Sequence, residues 1–156
     1  TNSDETILGE TQWKWLENQL QNSKASYTII MSSIQFLSAE HGFETWGNMP
    51  HEVSKLVNII ESSRAKGVII LSGDRHISEF SQMDLDSVSY PLIDFTSSGL
   101  THSYSNFTEE PNKYRIGDVV SSTSFGLLKF NFGTKKVIMQ MKGDENELYQ
   151  EINVQY

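Results

Sequence analysis

Apolar residues recur along the chain at spacings that predict two helices. Trp13, Leu16 and Leu20 lie on one face of a helix of about ten residues, because they are three and seven positions apart. A second set of apolar residues on one helical face lies within residues 53–60, at intervals of three, four and seven positions. It predicts a helix from Pro50 to about residue 64, since proline suits the start of a helix.

Two short apolar runs, at residues 27–31 and 68–71, predict strands that are buried on both faces. The segment between them is long enough for a right-handed crossover, so the two strands are expected to be parallel, with their carboxyl ends on one rim. A polar loop is predicted at residues 104–118. Alternating apolar and polar residues predict further strands at residues 77–83, 90–96, 119–120, 124–132, 137–141 and 148–156.

This pattern predicts one α/β domain over residues 1–156, with two helices, a mixed sheet and a strand-rich C-terminal half. The formal net charge of −8 argues against a nucleic-acid track and an anionic membrane surface. No apolar run approaches the roughly 20 residues of a membrane span. The chain contains no cysteine, which excludes disulfides, thiolate metal sites and a cysteine nucleophile.

Candidate chemistry follows the second buried strand directly. Asp74, Arg75 and His76 come after Ser72-Gly73, at the edge where open α/β sheets bind ligands. A carboxylate and a neutral imidazole two positions apart can both reach one Zn, Mn or Fe ion, and the guanidinium between them could pair with phosphate. The alternative is a polar β-turn that binds nothing. The residues alone leave both interpretations open.

Other candidates lie on loops that should reach the same rim. Gln35 follows the first buried strand and could contact substrate or metal-bound water, or cap its own turn. In the loop at residues 36–50, His41, Trp46 and Asn48 are candidate substrate contacts; the alternative is a loop packed on its own aromatic side chains.

The Ser, Thr and Gly run at residues 96–103 can form an anion nest or a plain turn, and Ser98 within it is a further candidate for binding substrate. His102, in the same run, is a weaker candidate metal ligand. Glu79 could orient His76 by accepting a hydrogen bond from it, or it could be a solvated strand residue.

The segments SGDRHISE, IIMSSIQ and LIDFTSSGLTHS resemble the alkaline-phosphatase-D-like (PhoD-like) metallophosphatases, within the calcineurin-like metallophosphoesterases. The resemblance covers about residues 8–132. It implies the C-terminal part of an α/β/β/α sandwich and the hydrolysis of phosphoric esters by metal-activated water. Asp74 and His76 would then be metal ligands, and Arg75 would neutralise phosphate charge. The complete enzyme would hold two ions of Zn, Mn, Fe or Ca.

The metal-binding blocks that normally precede this region in the family are not found in the sequence. We therefore expect the chain alone to bind metal weakly and to be inactive, because two catalytic sites need about six protein ligands. The partner would be the N-terminal portion of the same protein or an associated second chain, and an extracytoplasmic location is implied by the resemblance. Two alternatives are a non-catalytic α/β binding or scaffold domain and an unrelated hydrolase using His41 or His51 as its base.

Overall fold

The computed structural model of the protein describes residues 5–156. Its helices are α1 (Gly9–Gln21), a 3-10 helix (Trp46–Asn48) and α2 (Pro50–Ser62). Its strands are β1 (Thr28–Met31), β2 (Val68–Ser72), β3 (Ser78–Met83), β4 (Leu92–Ser97), β5 (Arg115–Val120), β6 (Phe125–Asn131), β7 (Lys136–Lys142) and β8 (Leu148–Gln155). The two predicted helices are confirmed, and so are the strands predicted at residues 27–31 and 68–71. β2 is buried as predicted, but β1 is not buried on both faces, because it is the edge strand of its sheet and Ile29 and Met31 are exposed.

A five-stranded mixed sheet has the order β1-β2-β4-β3-β5. β1 pairs with β2 in parallel, as predicted from the crossover, and β4 extends the parallel set on the other side of β2. β3 runs antiparallel to both β4 and β5. β4 therefore lies between β2 and β3, although β3 precedes it in the sequence.

Helices cover one face of this sheet and a second sheet covers the other. On the helical face, Trp13 and Leu20 of α1 and Leu56 and Ile60 of α2 are buried in one cluster with Val68 of β2. The antiparallel sheet β6-β7-β8 packs on the opposite face through an apolar cluster that includes Ile69, Phe80, Phe95, Val137, Met139 and Met141. The predicted α/β class and its helix, sheet and sheet layers are confirmed.

The two sheets pack closely at Gly126. A Cβ atom on this residue would lie 2.9 Å from the ring of Phe95, so a larger side chain here would force the sheets apart. The close packing fixes the second sheet over β4 and leaves β1, at the far edge, outside its cover. Met31 of β1 is 82% exposed.

β5 begins earlier than the sequence pattern predicts. Arg115 and Ile116 already pair with Ser81 and Phe80 of β3, within the segment predicted as loop. The register then shifts, and Gly117 has a left-handed backbone with φ of 71°. This irregularity interrupts the alternation that would have revealed the strand. Among the residues described, neither α-helix is long and apolar enough to cross a membrane.

Candidate functional site

The five residues 73–77 form an arch over the end of β4. They connect β2 to β3, which are not neighbours because β4 lies between them. The arch must therefore span two strand spacings, or about 9.5 Å. Asp74 and His76 adopt left-handed backbone conformations, with φ of 72° and 53°. Non-glycine residues seldom do so, and such strain is often found at functional sites.

The side chains of the arch alternate between solvent and interior. Asp74 and His76 are exposed, whereas Arg75 between them is buried. Within the described residues, neither the Asp74 carboxylate nor the His76 imidazole makes a hydrogen bond or an ion pair. Both predicted metal ligands are therefore on the rim with their ligating atoms free.

Arg75 is held by an acidic side chain from another loop. Its Nη2 donates to both carboxylate oxygens of Glu110, at 2.8 and 2.7 Å, and the guanidinium lies over the ring of Phe43, 4.1 Å from its centre. Ionic pairing and cation–π contact together fix the middle of the arch. The predicted phosphate contact of Arg75 stays a prediction, since its charge is balanced by Glu110 in this structure.

The run at residues 96–103 meets the arch, as predicted. The backbone N–H and the hydroxyl of Ser98 both donate to the carbonyl of Ile77, at 3.1 and 3.4 Å. The rings of His76 and His102 are perpendicular with centres 5.1 Å apart, so the weaker candidate ligand lies beside the stronger one. A hydrogen bond from the Tyr104 N–H to the His76 carbonyl, 2.7 Å long, holds the segment after His102 against the arch.

Gln35 lies below the rim. It is 1% exposed, and its amide nitrogen donates to Glu79 at 2.6 Å and to Thr96 at 2.8 Å. The side chain neither caps its own turn nor reaches the surface. Its Oε1 is buried and has no hydrogen-bond partner among the described residues. The predicted contact to substrate or metal-bound water is not tested by this arrangement.

Glu79 accepts hydrogen bonds from three separate parts of the chain. Among the described residues it accepts none from His76, so the predicted orientation of His76 by Glu79 is not seen. Its carboxylate accepts hydrogen bonds from Gln35, from Asn112 at 3.2 Å and from Arg115 Nε at 2.7 Å. Arg115 Nη1 in turn donates to the backbone carbonyl of Glu110, at 2.8 Å. A continuous chain of polar contacts therefore links Gln35 to the loop that holds Arg75.

Asp94 is the buried acid at the centre of β4. One carboxylate oxygen accepts the backbone N–H groups of Phe36 and Leu37, at 2.8 and 2.9 Å, and the other accepts the Ser72 hydroxyl at 2.6 Å. Burial raises the pKa of Asp94, although these three hydrogen bonds oppose the rise. Asp94 thereby ties the loop after β1 to the end of β2.

The loop at residues 36–50 packs largely on its own side chains. Trp46 is buried, contacts the rings of Phe36 and Trp13 edge-on, and donates its indole N–H to Ser32 at 3.0 Å. Asn48 donates to the carbonyl of Phe43, at 3.0 Å. These contacts match the alternative of a self-packed loop, and a role for Trp46 or Asn48 in binding substrate stays a prediction.

His41 is half-buried in this loop. Its Nδ1 accepts the backbone N–H of Phe43 at 3.1 Å, so the neutral ring carries its proton on Nε2, which is buried without a partner among the residues described. Burial, and then the charge of Arg75, lower the pKa of His41. The His41 ring lies 5.8 Å from the ring of Phe43, which Arg75 also contacts. The predicted contact of His41 with substrate stays a prediction.

Sequence reasoning missed Asp94, Glu110, Asn112 and Arg115. Asp94 had a detectable signal, because it is the only charged residue within an otherwise buried strand. The other three lie in or beside a polar loop in which no residue stands out. Within residues 5–156, no group of three His, Asp or Glu side chains is close enough together to hold a metal ion.

Three comparisons agree on the relatives of this chain. The family model described as PhoD-like phosphatase matches residues 1–146. Alkaline phosphatase D of Bacillus subtilis (strain 168) is 29% identical over 93 residues, which cover 54% of this chain and 16% of that protein. A solved structure of PhoD superposes with a TM-score of 0.71 at 20% identity, covering 89% of this chain and 30% of the solved one. The chain therefore spans less than a third of either relative, and it belongs to the PhoD-like phosphatase family.

Proposed function

We propose that this chain forms the C-terminal part of a phosphoric ester hydrolase, with Asp74 and His76 as metal ligands at the rim. The observation that carries the proposal is the arch itself. Two side chains of suitable chemistry stand free on a strained turn whose central residue is locked in place. Family membership supplies the reaction class, and the arch supplies the residues.

Asp74 and His76 fit a divalent or transition metal in donor type. A carboxylate oxygen and an imidazole nitrogen suit Zn, Mn or Fe, and His102 beside His76 adds a second imidazole. A bound metal ion would supply a water of lowered pKa and charge for the phosphate. The identity and number of the ions are part of this proposal.

The remaining ligands are proposed to come from outside the 156 residues. Asp74, His76 and His102 make at most three ligands, whereas a pair of catalytic metal ions needs about six. We propose that the rest of the same protein, or an associated second chain, completes the site, and that the chain alone is inactive. The extracytoplasmic location implied by the resemblance belongs to the same proposal.

Arg75 is proposed to act first by holding the arch. Its pairing with Glu110 keeps the guanidinium buried, which fixes the backbone between the two ligands. A direct contact with the phosphate of the substrate would require Arg75 to exchange Glu110 for the phosphate. Nη2, which donates to both oxygen atoms of Glu110, could serve either partner, since carboxylate and phosphate present similar pairs of oxygen atoms.

The proposal is tested by the hydrolysis of an aryl phosphate monoester and diester by the complete protein. His76→Ala should lower activity by more than about 100-fold and lower the bound metal, since loss of even an indirect support of a metal ligand costs about 10- to 100-fold. His51→Ala is the matched control, because His51 is exposed on α2 and its ring makes one hydrogen bond among residues 5–156, to the carbonyl of Glu5. If the natural protein and His76→Ala were equally active, His76 could not be a metal ligand of the active site.

A second candidate is a non-catalytic binding domain that retains the arch. It is favoured by the absence of a three-ligand group within the described residues. The two candidates differ in metal content. Near-stoichiometric metal in the complete protein, lost in His76→Ala, supports the hydrolase, whereas metal-free protein that still binds a phosphate ester supports the binding domain.

A further inference from the structure

Three loops at the end of the molecule opposite the arch carry positive charge only. They are the loop between α1 and β1 (residues 22–27), the loop between α2 and β2 (residues 63–67) and the β6–β7 turn with its flanking residues (131–136). These loops, which form the basic end of the molecule, contain five of the 12 basic residues of the chain and none of its 20 acidic residues. The five are Lys24, Arg64, Lys66, Lys135 and Lys136, and all are exposed.

The side chain of Tyr27, the last residue of the first loop, joins the three loops. A Cβ atom on Gly67 would lie 2.6 Å from the Tyr27 ring, and the Tyr27 hydroxyl donates to the carbonyl of Asn131 at 3.2 Å. The ring of Phe132 packs edge-on against Tyr27, with the ring centres 5.4 Å apart. The basic residues on either side of Tyr27 therefore belong to one continuous surface.

The positive charge of this surface is not neutralised within the protein. A cavity of about 770 Å³ between the first two loops is lined by Lys24, Arg64 and Lys66 and by no acidic residue. Acids at the same end of the molecule, Glu61, Asp84 and Asp86, lie outside that lining. Among residues 5–156, none of the five basic side chains forms an ion pair. The charge is therefore available to an anionic partner.

Much of the negative charge lies at the other end, around the arch. The loops there carry eight of the 20 acidic residues, namely Glu40, Glu44, Asp74, Glu109, Glu110, Asp144, Glu145 and Glu147. β7, which runs from one end to the other, has seven residues and is therefore about 20 Å long. The Debye length at physiological ionic strength is about 8 Å, so these acids are largely screened from the basic end. The net charge of −8 opposes binding to an anionic surface by the chain as a whole, but much less by this end.

The β6–β7 turn adds an exposed aromatic ring to the charged surface. Phe132 is 69% exposed, and Lys135 and Lys136 complete the same turn. Aromatic rings combined with Lys side chains are typical of segments that lie at a membrane–water interface. There the ring enters the boundary of the acyl chains and the cations meet the headgroups.

We infer that the basic end binds the surface of a membrane that contains anionic phospholipids. The basic residues meet the phosphate headgroups, and Phe132 enters the interface. A lipid surface contacts only the end of the molecule that faces it, so the acids around the arch do not touch it. A nucleic acid also binds cations and aromatic rings. It would need a basic track longer than one end of this chain, and the net charge of −8 opposes such a track.

The inference goes beyond the proposed hydrolase and does not depend on it. β1 and β2 begin at the basic end and run in parallel towards the arch. A membrane bound at the basic end therefore leaves Asp74 and His76 facing the aqueous phase. The attachment concentrates the protein at a lipid surface without making the lipid its substrate.

Sedimentation of the complete protein with lipid vesicles tests the inference. Vesicles of equal parts phosphatidylglycerol and phosphatidylcholine should bind the protein, and vesicles of phosphatidylcholine alone should not. The affinity should fall by more than about tenfold between ionic strengths of about 0.15 M and about 1 M, because salt shortens the Debye length to about 3 Å. Equal binding to both kinds of vesicle, or binding to neither, would overturn the inference.

Two double variants locate the binding surface. Lys66→Gln with Lys136→Gln should weaken binding to the anionic vesicles by about 25-fold, since each basic residue near such a surface contributes about fivefold. Lys14→Gln with Lys113→Gln removes the same charge from exposed positions outside the basic end, and the affinity should change by less than about twofold. Equal losses in the two double variants would show that net charge governs the binding, and would overturn the inference.

Phe132→Ser tests the contact of the aromatic ring with the lipid. Its loss should weaken binding to the anionic vesicles by about five- to tenfold, because apolar surface is no longer buried in the interface. Leu148→Ser, at a residue 54% exposed at the start of β8, is the matched control and should leave the affinity unchanged. Unchanged binding in Phe132→Ser, or binding of a single-stranded oligonucleotide in place of vesicles, would assign the surface to a soluble polyanion and overturn the inference.

Vesicle binding and hydrolysis can fail separately. His76→Ala should lose hydrolysis and bind vesicles as the natural protein does, whereas Lys66→Gln with Lys136→Gln should hydrolyse a soluble ester normally and bind vesicles weakly. Loss of vesicle binding in His76→Ala would place the lipid contact at the arch and overturn the inference.

Discussion

The rim of the sheet has two layers that differ in solvent exposure, in backbone conformation and in hydrogen bonding. The upper layer is the pair Asp74 and His76, which are exposed, strained in the backbone and free of hydrogen bonds among the described residues. The lower layer is the buried polar set formed by Gln35, Ser72, Glu79, Asp94 and Thr96, of which none is more than 7% exposed. Most side-chain polar atoms in the lower layer have hydrogen-bond partners, whereas the side chains of Asp74 and His76 have none among residues 5–156.

This difference indicates that the buried layer stabilises the fold, while the exposed pair is available for chemistry. An unpaired buried polar group costs about 1–3 kcal/mol, so the lower layer is tolerated only because its members bond to one another. Once satisfied, such a network is rigid. It supports the arch from below while the ligating atoms above remain free. Variants in the lower layer should therefore change stability, and those in the upper layer should change chemistry.

The largest expected effect on stability is that of Asp94→Ala. It leaves the N–H groups of Phe36 and Leu37 and the Ser72 hydroxyl without their acceptor. We expect the free energy of unfolding to fall by about 3 kcal/mol or more, measured by denaturation in urea.

Asp74→Asn is the matched variant in the upper layer. Asparagine tolerates the left-handed backbone, so stability should change by less than about 0.5 kcal/mol while activity of the complete protein is lost. A destabilisation by Asp74→Asn as large as that of Asp94→Ala would erase the distinction between the layers.

A smaller effect is expected from the ion pair that joins the layers. Glu110→Gln leaves the Arg75 guanidinium buried without a balancing charge, and we expect a loss of about 2 kcal/mol in stability. The exposed neighbour Glu109→Gln should change stability by less than about 0.5 kcal/mol. The arch should also open more often in Glu110→Gln, which faster exchange of the Tyr104 amide would reveal. Similar losses in both variants would show that the pair does not brace the arch.

The smallest effect is a drift of stability with pH that originates at Asp94. Burial raises its pKa in the folded state, so the folded protein holds this proton more tightly than the unfolded chain does. The stabilisation is complete below the unfolded pKa of about 3.9 and is lost as pH rises through the folded pKa. Asp94→Asn removes the titrating group and can still bond to Ser72 and the two amides.

The measurement is the difference in unfolding free energy between the natural chain and Asp94→Asn. This difference should fall as pH rises from about 4, because only the natural chain releases the proton. A difference that rises with pH over the same range would mean that the hydrogen bonds to Asp94 outweigh its burial.

The sequence predicted those features that depend on local pattern. Apolar spacing located α1 and α2, and uninterrupted apolar runs located β1 and β2 as a parallel pair. The crossover between the two strands also predicted that the turns after β1 and β2 lie side by side, and a Cβ atom on Gly73 would indeed lie 3.5 Å from the carbonyl oxygen of Ser33. Gln35 is buried below this edge and does not lie on the rim. The exposure of Asp74 and His76 agrees with their position in a turn.

The sequence did not reveal the partners of Arg75 and Glu79. Arg75 and Glu110 are 35 residues apart, and Glu79 and Arg115 are 36 residues apart. No periodicity connects residues at that distance, and either of the two acids in the loop at 104–114, Glu109 or Glu110, had the chemistry to pair with Arg75. The strand order was equally hidden, because nothing in β3 or β4 shows that the later strand inserts beside β2.

The position of β4 between β2 and β3 has a consequence for folding during synthesis. On the ribosome, β2, the arch and β3 are synthesised before β4 exists, so the arch at first connects two strands that share no hydrogen bonds. β4 must then enter the gap and pair with both strands, and such a step delays folding because it depends on contacts between distant residues. Until it does, Ser98 and Tyr104, which follow β4, cannot make their hydrogen bonds to Ile77 and His76 of the arch. We expect the candidate site to be among the last parts of the nascent chain to reach its final geometry.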